Sequence, residues 1–118
     1  MKYEYNGNLF ENERIDLVAN EIINKYPSIN IVKAKEAAML EGRISKDKTS
    51  EDELCRLYNI MLVNSDNKKI VLEIFKDFSN VAIDCYRKGI KSIYLQLIDG
   101  IYDYIKGIID FPIISDYI

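Results

Sequence analysis

The sequence predicts an all-α bundle of four to five helices, with either a short β-hairpin or an irregular arm at its N-terminus. Three observations carry this. Apolar residues recur at helical spacing in successive segments. Residues that cap or stop helices stand between those segments. At 118 residues, 48% hydrophobic and 30% charged, the chain has the size and composition of one soluble domain spanning 1–118.

Residues 2–10 read KYEYNGNLF. Asn6-Gly7 between short aromatic and apolar runs is a strong hairpin signal, but arms this short need helices to pack on. Residues 12–26 form the first expected helix, with Asn12 as its cap. Ile15, Val18, Ala19, Ile22, Ile23 and Tyr26 make one apolar stripe. Pro27 ends it, because the residue before a proline is pushed out of helical conformation. Residues 30–41 form the second, with Ile31, Val32, Ala34 and Ala38 as a narrow face and Gly42 as its stop.

Residues 43–50 are a polar connection. Ser50 with Glu53 three residues on is a capping box for a third helix over 50–63, striped by Leu54, Leu57, Tyr58, Met61 and Leu62. Asn64 to Asn67 are turn formers. A fourth helix, 66–88, carries Val71, Ile74, Phe75, Phe78, Ala82 and Cys85 on one face, with Ser65 or Asp66 as its cap. Gly89 either stops it or lies within one helix continuing to 109. Over 90–109, Ile90, Ile93, Tyr94, Leu97, Ile98, Ile101, Ile105 and Ile108 keep helical spacing. Asp99, Asp103, Lys106 and Asp110 phase to the opposite side, which makes the segment a surface helix and not a membrane span. Gly100 and Gly107 fall on that polar face. There they are either solvent-facing, at about 1 kcal/mol each against alanine, or points of close approach by another backbone. The apolar tail, 110–118, either packs back on the bundle or inserts into a partner or a second copy of the chain.

Composition excludes several chemistries. The net charge is −3, so no global attraction to nucleic acid exists. Histidine is absent, which removes the commonest general base and metal ligand. The five glycines form no phosphate-cradling pattern, and no serine sits in a nucleophile elbow. No cofactor and no metal site is expected, and no membrane association. The N-terminus lacks the apolar core of a signal peptide, and two cysteines without CxxC spacing fit a reducing, cytoplasmic setting. The preponderance of Ile, Lys, Asn and Tyr, all with AT-rich codons, points to a bacterial or phage source.

If the third and fourth helices are antiparallel, Cys55 and Cys85 are offset by about 15 Å along the axis. A disulfide cannot bridge that, so both are expected to be core thiols. Cys55 beside Arg56 would be mildly activated if exposed. Glu51, Asp52 and Glu53 sit in a first helical turn, where the helix dipole favours anions. The acidic stripe Asp99, Asp103, Asp110 reads as a solvated face.

Residues 33–46, KAKEAAMLEGRISK, contain KEAAMLEG, which resembles the first helix and turn of excisionase-like and MerR-like helix-turn-helix domains. That resemblance implies DNA binding, with Lys33, Lys35, Arg43, Lys46 and Lys48 on phosphates. The pattern departs where the recognition helix should follow: 46–49 prolong the loop, and the next helix opens with three carboxylates.

Tyrosine numbers nine and crowds the C-terminal third. Tyrosine brings apolar area with a polar tip and is enriched at interfaces. Tyr102 and Tyr104 flank Asp103 and cannot both face the core. The expected function is therefore a non-enzymatic protein-interaction module: an inhibitor, immunity, anti-defence or small regulatory protein. In size and acidity it broadly resembles bacteriocin-immunity and anti-CRISPR proteins. Its contact residues are Tyr94, Asp99, Tyr102, Asp103, Tyr104, Asp110 and Tyr117, and its partner is another protein or a second copy in a homodimer. The alternatives are a DNA-associated regulator, and a small enzyme or ligand binder using carboxylates and tyrosines.

Overall fold

A computed structural model describes residues 2–5, 7–41 and 49–117. It shows an all-α bundle with a short two-stranded N-terminal hairpin, so the hairpin and not the irregular arm is formed.

Strands β1 (Lys2–Tyr5) and β2 (Asn8–Glu11) pair antiparallel, with Tyr3 opposite Phe10 and Lys2 opposite Glu11. Gly7 turns the chain at φ +79°, a conformation that a Cβ disfavours. Asn6 lies outside the described residues. The Tyr3 hydroxyl donates to Asp16 Oδ1 (3.1 Å) and accepts from Lys35 Nζ (2.9 Å), which fastens the hairpin to the first two helices.

Helix α1 (Asn12–Lys25) buries Ile15, Val18, Ala19 and Ile22, the expected stripe. Glu11 and not Asn12 occupies the cap position, and it makes no side-chain cap bond. Tyr26 leaves the helix and donates its hydroxyl to Asp77. Helix α2 (Ile31–Leu40) is capped by Asn30, whose Oδ1 accepts from Val32 N at 2.7 Å. Its buried face is Ala34, Ala37, Ala38 and Met39. Ile31 and Val32, expected on that face, are exposed in the first turn. The alanines let α2 pack against both α1 and α3. Gly42, the expected stop, lies outside the described residues.

Helix α3 (Ser50–Val63) opens on a capping box one residue earlier than expected. Thr49 Oγ1 accepts from Asp52 N (3.2 Å) and Asp52 Oδ2 accepts from Thr49 N (2.9 Å). Helix α4 (Lys68–Arg87) is capped by Asn67, in place of Ser65 or Asp66, and buries Val71, Ile74, Phe78, Ala82 and Cys85. Each large side chain buried this way contributes roughly 1.5–3 kcal/mol.

Gly89 is a stop. At φ +69° it lets Gly89 N reach Tyr86 O (3.2 Å) and Ile90 N reach Cys85 O (2.9 Å), the paired bonds of a left-handed helix end. The continuous helix to 109 is therefore corrected. The segment divides into a 3-10 turn (Ile93–Leu97) and a short helix α5 (Ile98–Ile105). Gly107, at φ +80°, ends α5 with the same pair of bonds, from Gly107 N to Tyr104 O and from Ile108 N to Asp103 O.

The tail folds back. Phe111 and Pro112 are buried, and a second 3-10 turn follows at Ile114–Tyr117. Tyr58 in α3, only 2% exposed, holds it: the hydroxyl donates to the Pro112 carbonyl (2.8 Å) and accepts from Ile114 N (3.0 Å). The Tyr58 ring stacks on Phe111 at 5.7 Å, and Phe111 meets Tyr104 edge-on at 5.2 Å. Gly100 is not solvent-facing. It is buried, and a Cβ there would lie 3.3 Å from Pro112 and 3.0 Å from the Tyr117 hydroxyl. Among the described residues no helix is long and apolar enough to cross a membrane.

Tyr58→Phe removes both hydrogen bonds while keeping the ring. It leaves the Pro112 carbonyl and Ile114 N–H without their partner, at a cost of about 1–3 kcal/mol. Urea denaturation should show a lower midpoint with an unchanged slope.

Candidate functional site

Helix α5 alternates between core and solvent. Ile101 and Tyr104 point inward, whereas Asp99 and Tyr102 are exposed and Asp103 is half-buried. Lys106 lies over the Tyr102 ring at 4.2 Å, a contact of about 0.5–1 kcal/mol at an exposed site. Residues 106–110 are all exposed, Ile108 and Ile109 included. Beyond the buried Phe111-Pro112 step, Ile113, Asp116 and Tyr117 return to the surface. From Asp99 to Tyr117, exposed apolar and aromatic groups thus alternate along the chain with carboxylates.

Of the residues expected to form this surface, Asp99, Tyr102, Asp110 and Tyr117 are exposed on it and Asp103 is half-buried. Tyr104 is taken up inside and Tyr94 partly so. Tyr104 is 7% exposed and donates to the Ser65 carbonyl, tying α5 to the α3–α4 turn. Tyr94 is half-buried and packs against Tyr58 at 5.7 Å. Ile108, Ile109 and Ile113 were missed, because inside an assumed helix and a folded-back tail they read as core residues.

Of the basic segment, the structure describes Lys33 and Lys35, both on α2. Lys33 is half-buried, and Lys35 bonds Tyr3 and lies 3.8 Å from Asp16. Helix α3 opens with Glu51, Asp52 and Glu53. Arg43, Lys46 and Lys48 lie outside the described residues.

A cleft of about 310 Å³ lies between α1 and α3. Ile22, Tyr26, Leu57 and Ile60 line it, with Glu21, Lys25, Asp52 and Arg56 among its polar groups. Glu21, Asp52 and Arg56 are engaged. Arg56 binds Glu41 through two nitrogens and Glu21 Oε2 at 2.8 Å. The Glu41 side chain is 1% exposed. Tyr26 donates to Asp77, and Asp52 serves the capping box. The cleft is thus walled by ion pairs that hold α1, the end of α2 and α3 together.

Both cysteines are free thiols, Cys85 buried and Cys55 partly so. The expected activation of Cys55 by Arg56 does not occur. Burial pushes its thiol up from the ordinary value, and the guanidinium faces Glu41 and Glu21. Among the described residues no three or more His, Cys, Asp or Glu are grouped to hold a metal ion.

Comparison with protein-family models, with curated proteins and with solved structures found no match.

Two outcomes follow. Arg56→Met strands the buried Glu41 carboxylate and should cost about 3 kcal/mol. The double variant Arg56→Met/Glu41→Leu should recover most of this in urea titration. The second concerns alkali. Burial raises the tyrosines Tyr26, Tyr58 and Tyr94 above their ordinary value of 10.0, with Asp77 adding to the effect at Tyr26. In the unfolded chain these phenols ionise near pH 10, while in the folded chain they stay neutral. Their contribution is fully present below that pH and is lost as pH rises through the folded values. The urea midpoint should therefore fall above about pH 10, and Tyr26→Phe/Tyr94→Phe should flatten the fall.

Proposed function

We propose that the chain is a non-enzymatic protein-interaction module of the inhibitor, immunity, anti-defence or small regulatory kind. It acts through the edge formed by α5 and the tail. The observation that carries this is the exposure of Tyr102, Ile108, Ile109, Ile113 and Tyr117 alongside Asp99, Asp110 and Asp116. Exposed aromatic and aliphatic groups grouped this way on a folded surface mark contact sites. Carboxylates among them steer a basic partner and set its register. The free thiols support a reducing, cytoplasmic setting.

The test is affinity capture from the source cells with two baits: the wild-type chain and the triple variant Tyr102→Ala/Ile109→Asp/Asp110→Lys. Circular dichroism should show the two baits equally helical. A protein held in near-equal amount by the wild type and lost from the variant is the expected result. Identical captured sets would overturn the reading.

A further inference from the structure

We infer that the tail, Phe111–Tyr117, is exchangeable between copies, so that the tail of one chain docks in the Tyr58–Gly100 socket of a second. This goes beyond the proposed function, because the contacts exchanged lie on the buried side of the tail, and it assigns Ile108 and Ile109 of the exposed edge to a second copy.

The socket reads the tail as a bound peptide. Tyr58 takes the carbonyl of Pro112 and the N–H of Ile114 with a single hydroxyl. Phe111 sits between the Tyr58 and Tyr104 rings. Gly100 leaves the space that Pro112 and the Tyr117 hydroxyl occupy. All these groups belong to α3 and α5, and none requires the tail to come from the same chain.

The connection is built for exchange. Residues 106–110 are exposed throughout, so the segment between α5 and the socket makes little contact with the core. It opens on Gly107 at φ +80°, the point where the chain changes direction. Opening a hinge of this kind and closing it on a second copy restores every native contact, which is why exchange is a low-cost route to a dimer. Ile108 and Ile109 supply the reason for the second copy. They are 64% and 44% exposed in a connection where polar turn residues would serve a monomer better. In the exchanged dimer the two connections cross side by side and the isoleucines of each cover the other.

The full chain tests this directly. Tyr117→p-benzoylphenylalanine places a photo-crosslinker against α5. Isotopically light and heavy copies are unfolded together, refolded at high concentration and irradiated. Crosslinks from the tail to the α5 region carrying mixed isotopes are expected, rising with concentration. A second variant deletes Asp110, which shortens the reach by about 3.5 Å, draws the tail from its own socket and leaves Ile108 and Ile109 in place. Light scattering should then read twice the 13.7 kDa of the single chain. If crosslinks stay within one chain at every concentration, the proposal fails. It fails equally if a dimer forms whose crosslinks do not join tail to socket. Should the Asp110 deletion not fold, the full-chain crosslinks decide alone.

Discussion

A tyrosine buried as deeply as Tyr58 must find partners for its hydroxyl, because an unpaired polar group in the core costs as much as several good apolar contacts return. Tyr58 finds both partners on the tail. That requirement organises the C-terminal half. The tail must reach α3, so α5 must end early, and Gly107 ends it. Pro112 must lie against α5, so position 100 must lack a side chain. The Phe111 ring fills the remaining space between two tyrosines, and Tyr104 ties α5 to the α3–α4 turn through Ser65. The N-terminal half is held differently, by the alanine face of α2 and the Glu21–Arg56–Glu41 ion pairs.

The sequence showed these two halves unequally. Helices α1, α3 and α4 were legible because an amphipathic stripe and a cap are local signals, and local signals survive packing. The errors there were single-residue shifts, such as Thr49-Asp52 in place of Ser50-Glu53. The stretch after Gly89 was not legible in the same way. Ile90, Ile93, Leu97 and Ile101 keep helical spacing, but a 3-10 turn over Ile93–Leu97 also brings residues three apart onto one side. Periodicity alone cannot separate the two. Gly100 carried no signal of its own, since its meaning depends on Pro112 arriving from beyond the helix.

The candidate surface was half legible. Asp99, Tyr102, Asp110 and Tyr117 are exposed on the edge, as phasing against the apolar residues implies. Tyr104 went inside because α5 carries it to the core, and Tyr94, in the 3-10 turn, is half-buried against Tyr58. Sequence reasoning also missed the buried Arg56 pair. Glu41, the last residue before a glycine, gives no sign that it is covered. Its partner comes from the next helix, and only packing brings them together.

The two hydrogen bonds of Tyr58 join residues 54 and 56 positions apart. During synthesis the first three helices and α4 emerge before the segment that completes the core. A nascent chain at that stage holds an unpaired hydroxyl and an open apolar socket, and it can bury neither alone. Native packing around Tyr58 is therefore a late event that follows translation of the tail. Until then the socket is a natural substrate for chaperones and proteases that scan for exposed aromatic surface.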